Sequence, residues 1–131
     1  MTELLVTIAS GSKVITFIHT RDRERSKAFY RDVLGFSVTA DDPFGTVIDL
    51  NGITLRITPI ADHTPHAHTV LGWQVPDIAA AIDALAAKGV KMIIYPGFGQ
   101  DEKGIWTSPD GKAKVSFFHD PDGNGLSLTQ T

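Results

Sequence analysis

The sequence predicts an α+β fold built from two βαβββ modules. Three observations predict it. A strand-like segment leads into a capped amphipathic helix twice, first over 13–35 and again over 69–89. Each helix is followed by three further strand-like or extended stretches. The two helix frames also match, since Asp22 to Gly35 spans nearly the same distance as Asp77 to Gly89, which marks an internal repeat.

The elements follow in order. "KVITFIHT" (13–20) is rich in β-branched residues and reads as a strand. Asp22 is a good helix N-cap and Gly35 a good stop, with Ala28, Phe29, Val33 and Leu34 as the apolar stripe between them. "FSVTA" (36–40), "GTVIDL" (45–50) and "GITLRIT" (52–58) read as strands, joined by turn chemistry at Asp41–Pro43 and Asn51–Gly52. In the last of these, Ile53, Leu55 and Ile57 alternate with Thr54, Arg56 and Thr58, giving one apolar and one polar face. After the polar linker "ADHTPHAH", the order restarts. "TVLGWQV" (69–75) is a strand, and Asp77 caps a helix with Ile78, Ala81, Ile82 and Leu85 on one stripe and Gly89 as its stop. "KMIIYP" (91–96), "KAKVSFF" (112–118) and "LSLTQ" (126–130) complete the set as strands, with "HDPDGNG" as the last turn.

The 131 residues suit a single domain over 1–131, with module one at about 13–60 and module two at about 68–130. Hydrophobic residues make up 42% and charged residues 21%, a normal globular composition. The net charge of -3 and the lack of a basic stripe argue against nucleic acid as a partner. No apolar run approaches the ~20 residues that span a bilayer, so no membrane partner is expected. Cysteine is absent, which removes disulfides and thiolate metal sites and fits a reducing compartment. The N-terminal "MTELLVTIASGSK" carries Glu3 and no early Lys or Arg, so it makes a poor signal peptide. It reads as a tail or an extra edge strand, and a cytoplasmic location is expected. Each sheet has one face covered by its own helix, so the opposite face needs a partner. Pairing two such faces encloses a groove of the kind that takes small molecules.

"DRERSKAFYRDVLGF" resembles the first-helix segment of the vicinal oxygen chelate superfamily, the glyoxalase/bleomycin-resistance/dioxygenase family. "FFHDPDGNGLSLTQ" is similar to that family's last hairpin, where an aromatic pair precedes DPDGN. The likeness runs from about Lys13 to Gln130. It implies paired βαβββ modules forming a cupped mixed sheet around a pocket, with the helices outside, and a homodimer in many members. In metal-dependent members four His, Glu or Gln ligands project into the cup from the first and fourth strands of each module. Mapped by distance from the helix caps and from DPDG, those positions hold Ile15, Val70, Ser127 and either Arg56 or Thr54. Divalent metals want imidazole or carboxylate there. The expectation is therefore no metal and no cofactor, without the Lewis-acid chemistry of the metal-dependent members.

The same mapping sets the expected ligand-binding residues. Thr54 and Arg56 share a strand face, Phe17 and His19 share that of Ile15, and Gln74 that of Val70. The cup then holds Phe17, His19, Thr54, Arg56, Gln74 and Ser127, with one of Phe117 and Phe118 in the wall, Phe117 being taken as the site residue. Arg56 either anchors an anionic ligand through its planar fork or pairs with a protein carboxylate such as Asp49. His19, whose free pKa lies near neutrality, is the candidate acid or base. Trp106 follows the long loop 96–104 and is a lid or wall residue, or the anchor of that loop. Trp73 shares the parity of Leu71 and Val75 and belongs to the core. His63, His66 and His68 read as an exposed linker, and DPDGN as a turn that marks the fold.

The first functional reading is a metal-free protein that binds a small, anionic or aromatic organic molecule, with a second copy of the chain as partner. The second is an enzyme of lyase or isomerase type that acts on a small anionic substrate, with His19 as acid or base. The third is a metal-dependent lyase or dioxygenase with displaced ligands.

Overall fold

In the computed structural model, residues 6–131 are described. Module one runs β1 (Ile15–Thr20), α1 (Arg23–Ala28), a π-helical turn (Phe29–Val33), β2 (Ser37–Asp42), β3 (Gly45–Asp49) and β4 (Thr54–Pro59). Module two runs β5 (Thr69–Gln74), α2 (Ile78–Ala87), β6 (Trp106–Thr107), β7 (Lys114–His119) and β8 (Gly125–Gln130). Each module is a four-stranded mixed sheet, ordered β1-β4-β3-β2 and β5-β8-β7-β6. β1 pairs in parallel with β4, and β5 with β8, while the remaining pairs are antiparallel.

Both helices start where the side chains demand. Asp22 Oδ1 accepts from Arg25 N at 3.1 Å, and Asp77 Oδ1 from Ala80 N at 3.0 Å, each filling an orphan donor of the first turn. Both stop at a glycine with positive φ, Gly35 at 84° and Gly89 at 86°. Between these signals α2 buries Ile78, Ile82 and Leu85 against its sheet. Removing each such side chain from water contributes about 2 kcal/mol, more than helix propensity can supply.

Strand alternation puts Ile18, Ile48, Leu55, Ile57, Phe118, Leu126 and Leu128 into one core that also holds Phe29 and Tyr30. Trp73 packs against that core and stacks on Phe36, with ring centroids 5.6 Å apart, as its parity requires. The modules meet along this helix-bearing side. The opposite face of each sheet is left open: Ile15 is 54%, Phe17 58% and Val70 41% exposed.

Two expectations are corrected. The segment 91–96 is not a strand. Ile93 N does donate to Phe117 O at 2.8 Å, but the outer backbone groups are taken by a side chain. Gln100 Nε2 donates to Ile93 O at 2.8 Å, and its Oε1 accepts from Tyr95 N at 2.7 Å. The fourth strand is instead the short β6, whose Trp106 pairs with Val115. The N-terminal segment forms no edge strand over 6–14, where a turn lies at 8–11, and its first five residues lie outside the described ones.

Candidate functional site

The free sheet faces carry most of the predicted residues. Leu55 and Ile57 are buried on the core side of β4, so Thr54 and Arg56 point to the free face. Register places Ile15 beside Thr54 and Phe17 beside Arg56, with His19 beside Thr58. In module two Phe117 lies opposite Ser127, and Ser127 opposite Gly72. Phe118 is fully buried, so Phe117 is the one on the free face. Gln74 ends β5 exposed, with its amide donating to Thr131 Oγ1 at 2.8 Å, turned toward the C-terminus.

The protein itself provides a carboxylate for Arg56. Its Nη2 donates to both Oδ1 and Oδ2 of Asp42 at 3.0 Å. The hydrogen bond from Arg56, then one from Phe44 N, holds the Asp42 carboxyl below its usual range. The partner is not Asp49, whose Oδ1 accepts from Gly52 N at 2.8 Å and shapes the β3–β4 turn. Asp41, next in line, takes bonds from Lys27, Thr46 and Arg23, and these hold its carboxyl far below the ordinary value. The β2–β3 hairpin is thus a lattice of paired charges.

His19 is exposed, and its ring meets that of His63 edge-on at 5.6 Å. His63 is not a plain linker residue. Its Nε2 lies 2.7 Å from Asn124 Oδ1, and Asn124 Nδ2 donates to His19 O at 3.0 Å. His66 and His68 stack on each other at 5.4 Å.

The residues that sequence reasoning missed are Tyr95 and Phe98. With Phe117 and Trp106 they form a continuous aromatic surface. Tyr95 meets Phe117 at 5.6 Å and Phe98 at 6.2 Å, while Phe98 meets Trp106 at 5.8 Å and Phe117 at 6.0 Å. Trp106 pairs with Val115, and alternation along β7 puts Phe117 on the same face, so the cluster lies on the free face of module two. Gly72 keeps the neighbouring floor low: a Cβ there would sit 2.4 Å from Ser127 Oγ. The available signal was the aromatic pair flanking Gly97 in "YPGFG"; the strand expected over 91–96 concealed it.

The DPDGN turn does more than reverse the chain. Asp122 Oδ2 accepts from Thr20 Oγ1 at 2.6 Å, and its Oδ1 accepts from Arg21 N at 2.9 Å and Arg25 Nη2 at 3.1 Å. Asp120 Oδ2 accepts from Tyr30 OH at 2.9 Å. Burial raises the Asp120 carboxyl above its usual range, and burial beside Asp120 pushes the Tyr30 hydroxyl well up. This turn clasps module one to module two.

Two βαβββ modules, each presenting a free sheet face on the side opposite its helix, define a paired-module protein. The chain belongs to the Glyoxalase/Bleomycin resistance protein/Dioxygenase superfamily, whose family profile matches residues 13–128. No curated protein matches it significantly. Among solved structures it is similar to TnmS3, an antibiotic binding protein from Streptomyces sp. CB03234, at 22% identity over 95% of this chain and 98% of that one, with a TM-score of 0.72. A glyoxalase/bleomycin resistance protein from the same Streptomyces strain is 24% identical over 91% of this chain and 100% of that one, with a TM-score of 0.65. Lactoylglutathione lyase from Agrobacterium tumefaciens is 17% identical over 93% and 95% of the two chains, with a TM-score of 0.70. At these identities the likeness is one of fold.

The superfamily includes metal-dependent members, and a divalent ion needs imidazole or carboxylate donors. Ile15 and Val70 offer no donor, Ser127 and Thr54 offer neutral hydroxyls, and Arg56 offers a cation. Among the described residues no three His, Asp or Glu side chains converge. These positions do not fit a divalent metal.

Proposed function

We propose that this protein binds a flat aromatic organic molecule on the free face of module two. The observation that carries the reading is the four-ring surface of Tyr95, Phe98, Trp106 and Phe117. Aromatic pairs at such separations gain about 0.5–1.5 kcal/mol each beyond area burial, and a planar guest extends the cluster by further contacts of that kind. Ser127, beside Gly72, supplies a neutral polar group next to this wall.

The binding face is completed by a second copy of the chain. β1 and β5 are sheet edges, and the apolar Ile15, Phe17 and Val70 on the free faces are largely uncovered. Setting module one of one copy against module two of the other covers both faces. It also brings Arg56 and His19 of one chain toward the aromatic wall of its partner. Arg56 then offers its remaining N–H donors to an acidic group on the guest, against competition from Asp42. His19 neighbours an imidazole rather than an orienting carboxylate, which favours binding over acid–base turnover.

A thermal-shift screen of two- and three-ring planar aromatics, with and without carboxylates, tests the reading. Hits should raise the Tm of wild type and lose that effect in Phe98→Ala. Acidic hits should also weaken in Arg56→Ala. Sedimentation should give a dimer. Hits that stabilise Phe98→Ala as well as wild type would place the guest elsewhere, and turnover abolished by His19→Ala would favour the enzyme.

A further inference from the structure

The modules join along a groove of about 360 Å3 on the core side of the sheets, away from the free faces. Leu34 and Phe36 border it from module one, and Trp73 and Ala84 from module two. It is more than twice the size of an apolar cavity that takes a benzene ring, about 150 Å3. No charged side chain lines it among the described residues. Its polar edge consists of two neutral amides, Asn51 and Gln74. Gln74 follows Trp73 on β5 and its amide is turned to Thr131 Oγ1, so Asn51 is the polar side chain left for a guest. Phe36 and Trp73, stacked within 20° of parallel, form a ring wall on one side.

We infer that this groove is a second small-molecule site, for a neutral two- or three-ring apolar compound with one hydrogen-bond donor at its edge. The uncharged lining excludes ions, because a charged guest would lose its hydration and find no counter-charge. The neutral amide of Asn51 matches a hydroxyl or amine N–H. Because the walls come from both modules, an occupant bridges them and strengthens the joint that Asp120 and Asp122 clasp. This site is independent of the aromatic wall of Tyr95, Phe98, Trp106 and Phe117.

The two tryptophans of the chain separate the sites, since Trp73 borders the groove and Trp106 belongs to the aromatic wall. N-phenyl-1-naphthylamine is a suitable probe: it is neutral, carries one N–H, and brightens in apolar surroundings. In Trp106→Phe, where Trp73 is the sole tryptophan, energy transfer from Trp73 to the dye should rise saturably. Ala84→Phe places a ring in the groove from an exposed helix position and should weaken binding by about tenfold or more. Ala87→Phe, exposed on the same helix outside the groove, should bind like wild type. Unchanged affinity, or undiminished energy transfer from Trp73, in Ala84→Phe would overturn the assignment. Dye binding that falls as protein concentration rises would make the groove a contact between copies and overturn it too. Failure of the flat-guest reading appears separately, in Trp106 and Phe98.

Discussion

Replacing Asp122 by Ala removes the centre of the clasp between the modules. Its carboxylate is 1% exposed and accepts from Thr20 Oγ1, Arg21 N and Arg25 Nη2. Hydrogen bonds to a charged acceptor contribute about 1.5–3 kcal/mol each. The Arg25 side chain is half exposed and returns to water, so its share is under about 1 kcal/mol. Thr20 keeps one acceptor, Asp22 O at 2.9 Å, which recovers part of the hydroxyl's loss. The net cost is about 3 kcal/mol, as for a buried ion pair that loses one member. With a urea slope of about 2 kcal/mol/M, the midpoint of unfolding should fall by about 1.5 M. Asp122→Asn keeps an acceptor oxygen but loses the charge, and should fall in between. Equilibrium urea unfolding followed by circular dichroism measures both. A shift below about 0.25 M for Asp122→Ala, the size of an ordinary surface substitution, would refute the clasp.

Three further predictions follow from the same coordinates. As pH falls, Asp120 should take its proton first, before an unperturbed Asp at about 3.9, with Asp42 after it and Asp41 last. The depressed Asp41 and Asp42 stabilise the fold above that ordinary value, and their contribution is lost as pH falls through their lowered values. The raised Asp120 works in the opposite sense, its contribution being complete below the ordinary value and lost as pH rises through its own. Carboxyl carbon NMR titration reads the order, and Asp120 titrating below Asp42 would contradict it. Tyr30→Phe should cost about 1–2 kcal/mol in urea unfolding, because Tyr30 is fully buried and its hydroxyl donates to Asp120. It should also move the Asp120 titration higher still, since that hydrogen bond favours the charged carboxylate. Gly72→Ala should cost about 1–2 kcal/mol by crowding Ser127 Oγ, and adding Ser127→Ala should restore most of it.

Local patterns in the chain were enough for most of the fold. Strand-like composition, turn signals and alternation located seven of the eight strands, and the Asp22/Gly35 and Asp77/Gly89 pairs bounded both helical segments, because these signals arise within a few residues of the structure they specify. The face assignments of Arg56, Phe17 and Trp73 followed from alternation once the family likeness had set which face lines the cup. What escaped was long-range or carried by side chains. Asp122 meets Thr20 across 102 positions, a contact that no periodicity encodes. Gln100 bonds to Ile93 and Tyr95 as a neighbouring strand would, so the apolar run 91–96 has a strand's composition without its ladder. That substitution left Phe98 free to fold over Phe117, and the aromatic surface became visible only in three dimensions. Arg56 was expected to meet a ligand or a protein carboxylate such as Asp49; the carboxylate it meets is Asp42, which the tight β2–β3 turn places at the rim.

The most direct test is a titration of Trp106 emission in the Trp73→Phe variant with planar aromatic compounds, in the presence of EDTA. Saturable quenching at one guest per chain, unaltered by the chelator and weakened about tenfold or more by Phe98→Ala, is the expected result. Binding that appears only when a divalent metal is supplied, or that ignores the loss of Phe98, would contradict it.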